Sequence, residues 1–165
     1  MLTEILFLTT GGTIDKVYFD KKSDYEVGRT IIGDLLEQAL VRHPYRVQEL
    51  LHKDSLEITD ADRQLIRNTV AAASNEQIVI THGTDTMTDT AAWLADVPGK
   101  TIVMTGSLSP ARFADSDATF NVGMAIAAVQ SLDQGVYIVM NGTVFPAANV
   151  EKNRAENRFQ LKRPT

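Results

Sequence analysis

No cysteine occurs anywhere in the 165 residues. That excludes disulfides, thiolate metal sites and a cysteine nucleophile. No apolar run approaches the roughly 18 residues needed to cross a bilayer. The opening Met1-Leu2-Thr3-Glu4 lacks the basic lead and small-residue cleavage site of a secretion signal. Basic residues are not in excess either. The formal net charge is −5, which argues against non-specific nucleic-acid binding and a polybasic membrane contact. Neither a GxxxxGKS/T phosphate loop nor a GxGxxG fingerprint is present. His43, His52 and His82 follow no metal-ligand spacing. No repeat or low-complexity stretch appears. The expectation is a soluble cytoplasmic protein of one domain, 1–165, with 44% hydrophobic residues to fill its core.

What is there begins with Ile5-Leu6-Phe7-Leu8, a run of strand length that leads into Thr9-Thr10-Gly11-Gly12-Thr13-Ile14-Asp15. The two glycines permit a tight backbone course that a Cβ would resist, and Thr13 follows just past the strand end. Ile78-Val79-Ile80 leads in the same way into Thr81-His82-Gly83-Thr84-Asp85-Thr86. Between them, residues 15–28 carry a short alternation and a polar turn, the pattern of a hairpin or a flexible flap. Ile31 to Leu40 has a helical period closed by His43-Pro44. Tyr45 to Leu51 reads as a strand ending near Asp54-Ser55, and Thr59-Asp60-Ala61-Asp62 as a capped helix start. Asp85 or Thr86 caps a third helix, Thr101 to Met104 is a strand, and Gly106 to Asp117 an irregular loop. Ala118 to Leu132 is an alanine-rich helix and Gly135 to Met140 a fifth strand. Residues 151–165 read as a charged C-terminal tail.

Five buried strands alternating with helices predict an α/β fold. Its expected form is a doubly wound, mostly parallel, five-stranded flavodoxin-like sheet with helices on both faces. In the strand order 2-1-3-4-5 the switch point falls between strands 1 and 3, where such sheets bind ligands. Thr13, Thr84-Asp85 and Ser55 then converge on one crevice.

Threonine serves as a nucleophile when a base takes its proton and a third group orients that base. On the residues alone Asp85 reads first as an N-cap. Lys152 can act as base only if the final loop folds back, and is otherwise a solvated surface lysine. His82 adjoins the crevice, where shaping the turn is its simplest role.

Thr-Gly-Gly-Thr-Ile at 10–14 and Thr-His-Gly-Thr-Asp-Thr-Met at 81–87 resemble the two signature motifs of the bacterial-type L-asparaginases. The resemblance covers nearly the whole chain, but only the N-terminal domain of the usual two-domain enzyme. It implies hydrolysis of L-asparagine, and in some members L-glutamine, to the acid and ammonia, with no metal or organic cofactor. Thr13 would attack the amide carbon and form an acyl-enzyme, with Tyr25 of the flap assisting. Thr84, Asp85 and Lys152 would form the second constellation. Ser55 would hold the substrate α-carboxylate and Asp85 its amino group, with Gly12 and Gly83 also lining the substrate and backbone N–H groups of the two glycine turns facing the oxyanion. Leu56 departs from the family's Gln or Ser, and Ser107-Leu108-Ser109 from Ala-Met-Arg. In full-length relatives a neighbouring subunit's C-terminal domain completes the site, so a homodimer or higher homo-oligomer is expected. The competing readings are a non-catalytic amino-acid-binding module, an amidase for another amide, and a transamidation subunit.

Overall fold

Alternating apolar residues build a sheet with two buried faces. The computed structural model describes residues 1–164. The elements in chain order begin with β1 (Ile5–Gly11), β2 (Lys16–Phe19), β3 (Asp24–Val27), α1 (Ile32–Gln38), β4 (Tyr45–Lys53), α2 (Asp60–Ala72) and β5 (Gln77–Thr81). They continue with α3 (Met87–Leu94), β6 (Thr101–Thr105), α4 (Ala118–Ser131), β7 (Gly135–Met140), β8 (Thr143–Pro146), β9 (Val150–Asn153) and β10 (Arg158–Leu161). Leu6 and Leu8 of β1 enter one core and Ile5 and Phe7 the other. The same split puts Ile78 and Ile80 opposite Val79, and Ile102 and Met104 opposite Val103, as a period of two residues requires. Helices α2 and α3 cover the first face through Ile66, Val70, Met87, Ala91 and Leu94. Helices α1 and α4 cover the second through Ile32, Leu36, Val122, Ala125 and Val129.

The sheet order is β4-β1-β5-β6-β7-β8, with the first five strands parallel. This is the predicted 2-1-3-4-5 arrangement with one addition. The expected five strands are six, because β8 returns antiparallel on β7. Asn141 (φ 52°) and Gly142 (φ 68°) make the turn, and two successive positive φ values suit the right-handed twist of a hairpin. The last residues also differ from a featureless tail. Strands β9 and β10 form a hairpin, Phe159 is buried in the core, and its N–H donates to Asn141 Oδ1 at 2.8 Å.

Two helix ends are informative. At α2, Thr59 Oγ1 accepts from Asp62 N at 3.2 Å and Asp62 Oδ2 accepts from Thr59 N at 2.8 Å, a reciprocal capping box. Helix α1 stops short of the expected Leu40. That residue is left-handed (φ 55°), and the Val41 N–H closes back on Leu36 O at 3.1 Å, a Schellman-type end made without glycine. No helix among the described residues is long and apolar enough to cross a membrane.

Candidate active site

The carboxyl ends of β1, β4 and β5 meet through glycines that leave no room for a side chain. A Cβ on Gly12 would stand 2.4 Å from Gly83 N, and one on Gly83 would stand 2.6 Å from Ser55 Cβ. Gly12 also has φ 86°, a conformation that glycine adopts at little cost. Gly12 N–H donates to Lys53 O at 2.9 Å, which pins the first turn to the end of β4. Gly12, Gly83 and Ser55 are therefore in contact, and Thr13 and Thr84 each follow one of the touching glycines. Ser55 is 2% exposed beneath Gly83, whereas its neighbour Leu56 is 66% exposed.

Lys152 reaches this place because the β9–β10 hairpin folds back. Its Nζ donates to Thr84 Oγ1 and to Asp85 Oδ1, each at 2.8 Å, with the Lys152 side chain 12% exposed and that of Asp85 34%. The Thr84 oxygen accepts from lysine, so its own O–H remains free to donate. The Asp85 carboxylate is engaged by Lys152 and not by the helix it precedes. Thr86 is the N-cap of α3 and makes no side-chain capping bond, its hydroxyl donating instead to Ser55 O at 2.8 Å. Arg154 Nη2 donates to Asp85 O at 3.4 Å.

A buried chain of hydrogen bonds fixes the second turn. His82 Nδ1 lies 2.7 Å from Gly83 O, and Nε2 lies 2.8 Å from Thr90 Oγ1, which accepts from Arg63 Nε at 3.2 Å. A carbonyl only accepts, so Nδ1 carries the proton and Nε2 accepts the hydrogen bond that the Thr90 hydroxyl donates. Full burial pushes the His82 pKa down to about 4, so the ring is neutral. Since the trans peptide sets C=O and N–H in opposite directions, the Gly83 carbonyl bound to His82 turns the Thr84 N–H away from the ring. That N–H has no acceptor among the described residues.

Thr13 begins a single 3-10 turn, Thr13–Asp15, and is half-buried. Tyr25 lies on β3, opposite Tyr18 in the flap hairpin. Its ring packs edge-on against Tyr18 (centroids 5.3 Å apart) and Phe113 (5.7 Å). Among the described residues no hydrogen bond joins Tyr25 to Thr13, so the structure gathers Gly12, Gly83, Ser55, Thr84, Asp85 and Lys152 directly and leaves Tyr25 on the flap. There it lines a polar pocket of about 350 Å³ with Lys16, His52 and Asp54. An apolar cavity of about 580 Å³ under α3 contains none of the site residues.

Sequence reasoning left out three side chains that shape the site. Arg63 stands three residues before Ile66 and seven before Val70, on the buried face of α2, a spacing visible in the sequence. Asp117 accepts Leu108 N at 3.0 Å and Ser109 N at 3.1 Å, holding the loop after β6. Asp15 is fully buried at the flap base. For the last two no sequence signal distinguishes them from surface carboxylates.

The Asparaginase, N-terminal family description fits residues 4–165. L-asparaginase 2 of Escherichia coli strain K12 is 30% identical over 181 aligned positions, spanning 98% of this chain and 49% of that protein. A glutamyl-tRNA(Gln) amidotransferase subunit of Methanococcus vannielii is 30% identical over 163 positions, with 87% and 35% covered. The thermostable L-asparaginase from Thermococcus kodakarensis superposes with a TM-score of 0.85 at 28% identity, over 98% of this chain and 52% of that one. The chain spans about half or less of the length of these relatives.

Proposed function

The chain belongs to the asparaginase family, matching its N-terminal domain, and on that premise we propose that it hydrolyses L-asparagine to L-aspartate and ammonia through an acyl-enzyme on Thr13. The observation that carries this reading is Lys152, held at 2.8 Å from both Thr84 Oγ1 and Asp85 Oδ1 by a hairpin remote in sequence. A surface lysine needs no such hairpin.

In this reading the Thr13 hydroxyl attacks the side-chain amide carbon, and Tyr25 approaches from the flap to take part in its deprotonation. The Thr84 N–H, turned away from His82, is a fixed donor for the developing oxyanion. Fixed donors of this kind stabilise such charge by a few kcal/mol, about 3 when one is removed. Ammonia leaves, and Thr84, Asp85 and Lys152 activate the water that releases aspartate. Asp85 pairs with the substrate amino group and Ser55 receives its α-carboxylate. The exposed Leu56 offers that carboxylate no side-chain donor, so substrate recognition rests on Ser55 and backbone amides, with a high KM as the consequence. Assembly into a homodimer goes with this reading, and sedimentation tests it.

A second reading is favoured by the relative named as an amidotransferase subunit: the same site releases ammonia from an amide for a partner protein. Ammonia release from L-asparagine and L-glutamine, for wild type beside Thr13→Ala and Lys152→Ala, separates the two. Asparagine turnover lost in both variants supports the first. No turnover without an added partner overturns it.

A further inference from the structure

Asp15, two residues after Thr13, is buried to 1% exposure and has no part in the chemistry above. Its backbone N–H donates to Gly12 O at 3.2 Å, closing the turn that contains Thr13, and its carbonyl accepts Gly28 N–H at 2.9 Å. The carboxylate Oδ1 accepts Ile31 N–H at 2.9 Å and the Thr30 hydroxyl at 3.2 Å. Thr30 Oγ1 in turn accepts Ile32 N–H at 3.2 Å, at the start of α1. One residue thus ties together the Thr13 turn, the chain leaving the flap and the entry to α1.

We propose that Asp15 is a positioning residue, whose carboxylate clamps residues 28–31 to the turn carrying Thr13 and gives the flap that bears Tyr25 a fixed base. The kinetic consequence rests on the hydrolytic reading above. The clamp itself does not.

An apolar residue could fill this place without the desolvation cost of a charge, as the neighbouring Ile14 does, fully buried. What it could not do is satisfy the Ile31 N–H and the Thr30 hydroxyl together. The groups facing the carboxylate are consistent with a strained ion. Desolvation, reinforced by Glu49, raises its pKa to about 6 against the lowering effect of Ile31, Thr30 and Arg112. Glu49 itself holds His52 at 2.6 Å and Arg29 at 3.8 Å, and Arg112 Nη2 reaches Arg29 O at 3.5 Å. Both clamp bonds fall on Oδ1. Protonation therefore leaves an acceptor in place, but a weaker one than a charged oxygen, and the clamp loosens as pH falls through about 6.

The test compares Asp15→Asn, which keeps Oδ1 as an acceptor and cannot titrate, with Asp15→Ala, which removes it. Hydrogen exchange at the Ile31 amide, corrected for intrinsic rates, reads the clamp without any need for turnover. Loss of a hydrogen bond to a charged group should speed exchange about tenfold or more in Asp15→Ala, with β5 and β6 amides unchanged. Asp15→Asn should fall between wild type and Asp15→Ala at pH 7, close to the protection wild type shows at pH 5, and should lose the wild-type change in protection between pH 5 and 7. On asparagine, Asp15→Ala should lower kcat more than it raises KM, and Asp15→Asn should restore part of that loss. Unchanged Ile31 protection in Asp15→Ala, or loss spread evenly over the sheet, overturns the clamp. If Asp15→Ala does not fold, a pH-dependent Ile31 protection that persists in Asp15→Asn overturns it instead. A wild type without turnover whose Ile31 amide still answers to Asp15 counts against the hydrolytic reading and for the clamp.

Discussion

Gly83→Ala tests the packing on which the site depends. Gly83 does not occupy the left-handed region, so alanine can adopt its backbone, and any penalty is steric. The new Cβ would stand 2.6 Å from Ser55 Cβ, 2.7 Å from Ser55 Oγ and 3.0 Å from Ser55 N. Carbon atoms rest at about 3.5–4.0 Å, so an overlap near 1 Å must be relieved by moving the end of β4 away from β5. Overpacking of this kind costs about 1–3 kcal/mol. The Ser55 side chain supplies the two closest atoms, so Ser55→Gly should rescue part of the loss. A double-mutant cycle by urea denaturation should give a coupling of about 1–2 kcal/mol. Gly33→Ala is the control. Nothing lies within 4 Å of its Cβ position, and a helical glycine replaced by alanine gains about 0.5–1 kcal/mol. Gly83→Ala as stable as wild type, or strictly additive with Ser55→Gly, would refute the contact between the two strand ends.

Lys152→Ala should separate activity from stability: kcat falls by about 10²–10⁴, while stability changes by under about 1 kcal/mol because the Asp85 partner is one-third exposed. Turnover assays beside thermal melts check both. His82 has a folded pKa of about 4 against 6.5 unfolded. Its stabilisation is therefore present above pH 6.5 and is lost as pH falls from there towards 4, on the order of 3 kcal/mol in all. In His82→Gln that acid dependence between pH 4 and 6.5 should shrink in urea melts at stepped pH. Leu40→Gly removes a left-handed leucine (φ 55°) that is 75% exposed. It should be neutral or stabilising by up to about 1 kcal/mol, as read by the urea midpoint.

The parallel sheet was legible because its strands are short apolar runs ending in glycine and small polar residues, and the crevice followed from the strand order. The sixth strand was legible in principle, since Asn141-Gly142 is a strong two-residue hairpin signal. It is easily passed over because Thr143–Pro146 is mostly exposed on one face. The β9–β10 hairpin was hidden for a different reason. Its anchors are the buried Val150 and Phe159, set far apart among charged and polar residues, and two isolated side chains make no period. On the residues alone Lys152 is a base only if the final loop folds back, and the family resemblance alone favours that role, because its 2.8 Å bonds span 67 and 68 residues of sequence. Asp15 and Asp117 look like ordinary surface carboxylates in the sequence. Their roles depend on which backbone N–H groups the fold leaves unpaired beside them.

The most direct test of a Thr13 acyl-enzyme is to quench the protein during turnover of L-asparagine and map covalent mass by peptide mass spectrometry. Lys152→Ala, in which release of the acyl group should be slowed, is run in parallel. An added aspartyl group on Thr13, enriched in Lys152→Ala and absent in Thr13→Ala, is the predicted result. An adduct on Thr84, or turnover that persists in Thr13→Ala, would contradict it.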